Sequence, residues 1–131
     1  MKRSAATVLK IASRGSALAL WQAQHVKARL EEAHPGLQVQ IDIQHTTGDR
    51  ITDVPLARIG DKWLFTKEVD RAVLEGAAHL AVHSLKDVPT VMEPGLDLGA
   101  VSVREDPRDA VVFRPGAAHT LDDLPHGARV G

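Results

Sequence analysis

Between residues 9 and 43 the apolar periodicity changes twice, and this change restricts the fold more than any other feature of the chain. Leu9 to Ser13 form a short apolar run closed by Arg14-Gly15, the pattern of a strand. Ser16 then offers a helix cap. Ala19, Ala23, Val26, Leu30 and Ala33 recur at spacings of four and three, which is one face of a helix. Leu18 and Trp21 are expected to widen that face, with Lys27, Arg29, Glu31 and Glu32 on the wet side. Pro35-Gly36 stops the helix. Leu37, Val39, Ile41 and Ile43 then alternate with Gln38, Gln40, Asp42 and Gln44, the period-two pattern of a second strand.

The rest of the chain extends this alternation. His45 to Lys62 is polar and rich in turn formers, long for a loop in a compact domain, and such loops tend to be functional or mobile. A second helix is predicted from about Leu64 to Glu75, with Phe65, Val69, Ala72 and Val73 inward and Gly76 beyond its end. His79 to Ser84 and Leu96 to Val103 read as further strands, and a short helix fits the tail. Strand, helix, strand, helix, strand, strand indicates an α/β domain with a mainly parallel sheet flanked by helices. Arg104 to Asp109 breaks the pattern and is the expected hinge into another lobe, so that 1–104 forms most of one domain and 105–131 begins a second.

Composition narrows the partners. With 131 residues the chain suits one compact domain, or one domain and the start of another. Sixteen basic residues against seventeen acidic ones leave a formal charge of −1, which argues against nucleic acid, whose binding is dominated by phosphate neutralisation. No apolar run approaches the ~20 residues that span a bilayer. The first ten residues lack the apolar core of a signal peptide, so the expected compartment is the cytoplasm. There is no cysteine, which excludes disulfides, thiolate metal sites and cysteine nucleophiles from this chain.

Two segments occupy positions where α/β sheets bind ligands, beyond the carboxyl ends of strands. In Arg14-Gly15-Ser16 a helix N-terminus adds free N–H groups to a guanidinium fork suited to carboxylate or phosphate. Alternatively, Ser16 only caps and Arg14 is solvated. His83-Ser84-Leu85-Lys86-Asp87-Val88-Pro89 places a hydroxyl, a cation and a carboxylate at the end of a buried strand. Lys86 could hold an anion while Asp87 stabilises a developing cation or handles protons; otherwise Asp87 bonds nearby backbone in a polar turn. His79 and His83 are four apart, as in a helical zinc pair. They fall in a strand-like segment without a third ligand, so no metal is expected and a structural role is preferred.

Five collinear motifs carry a resemblance that covers nearly the whole chain. IASRGSALALWQA (11–23), TGD (47–49), LFTKE (64–68), VHSLKDVPT (82–90) and REDPRDA (104–110) resemble the porphobilinogen deaminases, also called hydroxymethylbilane synthases. The resemblance implies a transferase of tetrapyrrole biosynthesis that condenses four porphobilinogen molecules head to tail, releasing ammonia each time. It implies a lobe like those of periplasmic binding proteins, in a usually monomeric three-domain enzyme. It also implies a dipyrromethane cofactor attached to a cysteine of the third domain. On this pattern Asp87 matches the catalytic aspartate. Arg14, Ser16, Ser84 and Lys86 match residues that hold the acetate and propionate groups of cofactor and substrate. Gln22, Lys62 and Phe65 match positions near the site.

The family pattern would continue past Gly131 into an arginine-rich segment and a cysteine-bearing domain. The expectation is therefore a truncated N-terminal portion, inactive alone and able to self-associate. The alternatives are a non-catalytic anion-binding lobe and a half that needs a partner chain. Asp87 favours the enzyme, because a negative charge there would repel carboxylates.

Overall fold

The computed structural model describes residues 8–45, 66–116 and 120–129. Strand β1 (Val8–Arg14), helix α1 (Ala17–Ala33) and strand β2 (Gln38–Gln44) follow one another as the periodicity predicts. Helix α2 (Lys67–Leu74) and a two-residue strand β3 (Leu80–Ala81) come next. The sheet has the order β2-β1-β3 and is parallel throughout. β1 pairs with β2 from Val8 opposite Gln38 to Arg14 opposite Gln44, and with β3 at Ile11–Leu80 and Ala12–Ala81. This is the expected α/β class.

The central strand is apolar because both of its faces are covered. Successive side chains of a strand point to opposite faces. Ile11 accordingly packs with Ala23 of α1 and Val39 of β2, whereas Ala12 packs with Val69 and Ala72 of α2 and with Ala78. Each fully buried large aliphatic side chain contributes roughly 1.5–3 kcal/mol. Ser13, on the Ile11 face, is also buried, and its hydroxyl donates to the carbonyls of Arg14 and Ala19.

The ends of α1 are set locally. Ser16 Oγ accepts from Ala19 N–H at 3.3 Å. At the other end His34 N–H donates to the Leu30 carbonyl, and Gly36 takes φ +93°, a conformation strained for any L side chain. Glu31 Oε1 accepts from Val39 N–H at 2.9 Å, fastening the last turns of the helix to β2.

Several expectations are corrected. Leu18 and Trp21 do not widen the buried face: they are 54% and 61% exposed, and the Trp21 ring stacks on His25 at 5.4 Å. At 3.6 residues per turn Trp21 lies about 160° around the helix from Ala23, which faces the sheet. Ala33, in the last turn, and Ile43, which meets Gly15 near the end of β2, are exposed as well. The strand predicted over 79–84 shrinks to Leu80–Ala81, extended by bonds from His79 N–H to Lys10 O and from Val82 N–H to Ala12 O. Helix α2 keeps Val69 and Ala72 buried and ends before Gly76, which has φ +74°.

The strand expected over 96–103 is absent among the described residues. Val101 and Val103 are exposed, the latter by 97%, and a strand needs both a ladder partner and a face to bury. Thr47, Gly48, Asp49, Lys62, Leu64 and Phe65 lie outside the described residues.

The chain divides into two units, Met1–Leu98 and Gly99–Gly131. The first holds the sheet together with α1 and α2. In the second, the Asp106 carboxylate pairs with the Arg108 guanidinium and accepts from Arg108 N–H. A 3-10 turn at Leu121–Asp123 is closed by Asp123 Oδ2, which accepts from Thr120 N–H and Oγ1–H at 2.9 Å each. No helix among the described residues is long and apolar enough to cross a membrane.

Candidate functional site

The strand order creates the site. β1 leads through α1 to β2 on one side of the sheet, while β3 lies on the other side. Helix α1, which follows β1, packs on the Ile11 face, and α2, which precedes β3, packs on the Ala12 face. Where the winding of an α/β sheet changes sides in this way, a crevice opens beyond the carboxyl ends of the strands. A cavity of about 230 Å³ lies there, lined by Arg14, Ser16, Leu18, Ala19, Val82, His83, Ser84, Lys86 and Asp87.

Both sequence segments singled out above converge on this cavity. Arg14 ends β1, and its Nη1 lies 3.7 Å from Oδ2 of Asp87, both side chains being about four-fifths buried. Ser16 caps α1, so its oxygen is engaged with Ala19 N–H while its hydroxyl hydrogen can still donate. Ser16 thus both caps α1 and lines the cavity. The first N–H groups of α1 have no intrahelical acceptor and carry positive partial charge.

After β3 the chain turns in a short 3-10 helix, Leu85–Asp87, closed by Asp87 N–H to Ser84 O at 2.9 Å. This turn carries Lys86 and Asp87 to the cavity. Asp87 pairs with Arg14 from the neighbouring strand, beyond the local turn in which a polar-turn reading would keep it. Ser84 Oγ donates to Gln22 Oε1 at 2.9 Å, so Gln22 meets the site through Ser84. Lys62 and Phe65 fall outside the described residues.

The two histidines have separate partners. His79 Nδ1 accepts from Lys10 N–H at 2.9 Å, on β1. His83 Nε2 lies 3.0 Å from Asp70 Oδ1, on α2. Sequence reasoning missed Asp70, which no motif or spacing connects to the site. It also passed over His83 as a cavity residue, although its place beside Ser84 at the end of a strand was a usable signal.

The chemistry of this cavity is specific. Two cations, two hydroxyls and a helix N-terminus suit carboxylates or phosphates. A carboxylate set among them is unwelcome to an anion alone, and suits a ligand that also brings N–H groups or develops positive charge.

Residues 9–131 match the family model described as "Porphobilinogen deaminase, dipyromethane cofactor binding domain". The chain belongs to the porphobilinogen deaminase family. It is 58% identical over 123 residues to a porphobilinogen deaminase of Aliarcobacter butzleri, a match that covers 94% of this chain and 39% of that protein. It is 56% identical over 126 residues to one of Prochlorococcus marinus strain MIT 9313, covering 95% of this chain and 40% of the relative. For one of Syntrophobacter fumaroxidans the identity is 52% over 124 residues, again 95% of this chain and 40% of the relative. The chain thus spans about 40% of the length of these curated relatives.

The residues on the cavity wall fit the carboxylate side of a pyrrole cofactor, since Arg14, Lys86 and Ser16 present donors there and Ser84 would add one on release from Gln22. They do not include an attachment point. The porphobilinogen deaminase pattern calls for a cysteine thioether, and this chain has no cysteine.

Proposed function

We propose that this chain is the lobe of a porphobilinogen deaminase that binds pyrrole carboxylates and stabilises the cation formed as porphobilinogen loses ammonia. The whole enzyme would condense four porphobilinogen molecules into a linear hydroxymethylbilane. One observation carries the reading: Asp87 lies at the cavity, paired with Arg14 and next in sequence to Lys86, at the switch point of the sheet.

Each residue has a task that follows from its chemistry. Arg14 offers a planar fork and Lys86 a point charge to the acetate and propionate groups. Ser16 and the first turn of α1 add donors to the same carboxylates. Asp87 accepts from pyrrole N–H groups, and its attraction grows as ammonia departs and the ring system becomes cationic, which favours the transition state over the bound substrate. Arg14 holds the Asp87 carboxylate in place and offsets its repulsion of the ligand's own carboxylates.

A dipyrromethane group, when bound, supplies the pyrrole on which the chain grows. Arg14, Ser16, Ser84 and Lys86 are the residues of this lobe that would hold its carboxylates. A lobe that only binds anions, the alternative, has no use for Asp87.

Calorimetric titration of the chain with porphobilinogen tests the reading. Saturable binding is expected, weakened about tenfold in Arg14→Ala and in Lys86→Ala, the loss of one charge-assisted contact each. Absence of saturable binding to the unaltered chain overturns it.

A further inference from the structure

The segment that carries Ser84, Lys86 and Asp87 leaves the sheet almost as soon as it joins it. β3 is two residues long, and its last backbone bond to β1 is from Val82 N–H to Ala12 O at 3.1 Å. Beyond Val82, side chains hold the segment. His83 is paired with Asp70 of α2, and Ser84 with Gln22 of α1. The helices on the two faces of the sheet thus each hold one residue at the root of the 85–87 turn.

We propose that Asp70 is a positioning residue of this site, fixing the His83 ring and through it the turn that presents Lys86 and Asp87. The proposal rests on the binding function argued above but concerns a residue that the family motifs leave unassigned.

The geometry specifies the ring. A carboxylate accepts, so in the proposed arrangement the His83 Nε2, 3.0 Å from Asp70 Oδ1, carries the hydrogen and donates it. The His83 and Asp70 side chains are only 12% and 14% exposed, so water competes weakly for either group. A carboxylate behind an imidazole sets its orientation and tautomer, as it does where histidines are held for metals. His83 lines the cavity, whereas Asp70 is not on its wall. Asp70 therefore acts through His83.

The test uses the isotopically labelled chain, with two readouts that need no turnover. Long-range imidazole ¹⁵N–¹H spectra report which ring nitrogen of His83 carries hydrogen. Amide shifts of Ser84, Lys86 and Asp87 report the turn, free and during a porphobilinogen titration. Asp70→Ala is expected to abolish the fixed Nε2–H signature, to move the three amides, and to weaken binding about tenfold. Asp70→Asn keeps a carbonyl acceptor and is expected to restore the signature and most of the affinity. Unchanged ring and amide signals in Asp70→Ala overturn the proposal.

If Asp70→Ala loses the dispersed signals of Ile11 and Val39, His83→Leu carries the same test from the other side of the bond. Amides 84–87 that stay in place in His83→Leu then overturn the proposal. Failure of the unaltered chain to bind porphobilinogen removes the proposed function, while the ring and amide signals still decide the role of Asp70.

Discussion

Ser84 Oγ donates its hydrogen to Oε1 of Gln22 at 2.9 Å, joining residues 62 positions apart in the chain. The bond spans from the buried side of α1 to the root of the 85–87 turn. A serine that spends its hydrogen in this way faces the cavity with lone pairs, and becomes a donor to carboxylate only if released. Gln22→Ala should therefore leave the fold intact while changing porphobilinogen affinity by about fivefold, near 1 kcal/mol for one hydrogen bond. Titration calorimetry reads it, and an unchanged affinity would show that Ser84 keeps its orientation without Gln22.

Stability should follow burial and ignore apolarity as such. Ile11 and Val69 are fully buried on opposite faces of β1, whereas Trp21 is mostly exposed on the outer side of α1. Ile11→Ala is expected to cost about 3 kcal/mol and Val69→Ala about 2 kcal/mol, the lost transfer energy plus a residual cavity. Trp21→Ala should fall within about 0.5 kcal/mol of the unaltered chain, as exposed positions do. Urea denaturation of the three variants checks the ranking, and a Trp21→Ala cost comparable to Val69→Ala would contradict it.

This contrast also marks what could be read from the residues in order. Periodicity is local, so the strand–helix–strand run through Gln44 was legible, as was the capping role of Ser16. Leu18 and Trp21 misled because apolarity says that a side chain can be buried, while the angle to Ala23 decides whether it is. The run 96–103 misled because alternation is a property of the segment and a ladder is a property of a pair. In the site, Arg14, Ser84, Lys86 and Asp87 stood out because they follow strands, where sheets bind ligands. Asp70 was illegible: its link to His83 exists only once α2 packs on the face of Ala12.

In the second unit, the Arg108 guanidinium beside Asp106, helped by Arg108 N–H, holds the Asp106 carboxyl below the usual aspartate range. Its folded value is thus lower than its unfolded one. Any stabilisation from the pair is fully present above the ordinary aspartate value and is lost as pH falls through the folded value. Both groups are exposed, so the effect is expected in the titration itself. Arg108→Ala should raise the Asp106 midpoint in a carbonyl-detected pH titration, and an unmoved midpoint would remove the pair as its cause.

Asp87 offers the sharpest discrimination, because its two neighbours in the argument pull in opposite directions. Toward a carboxylate it is repulsive, and toward a pyrrole N–H it is an acceptor. Asp87→Asn keeps size and removes the charge. Its contact with Arg14, at 3.7 Å, is longer than a hydrogen bond, and asparagine keeps a carbonyl oxygen toward the guanidinium, so the fold should survive the change. A simple dicarboxylate such as succinate, which has no N–H, should bind Asp87→Asn about threefold more tightly than it binds the unaltered chain. Porphobilinogen should bind it about fivefold more weakly, having lost a charge-assisted acceptor. Both affinities moving the same way would mean that Asp87 acts only through the total charge of the cavity, and its assignment to the pyrrole nitrogens would fall.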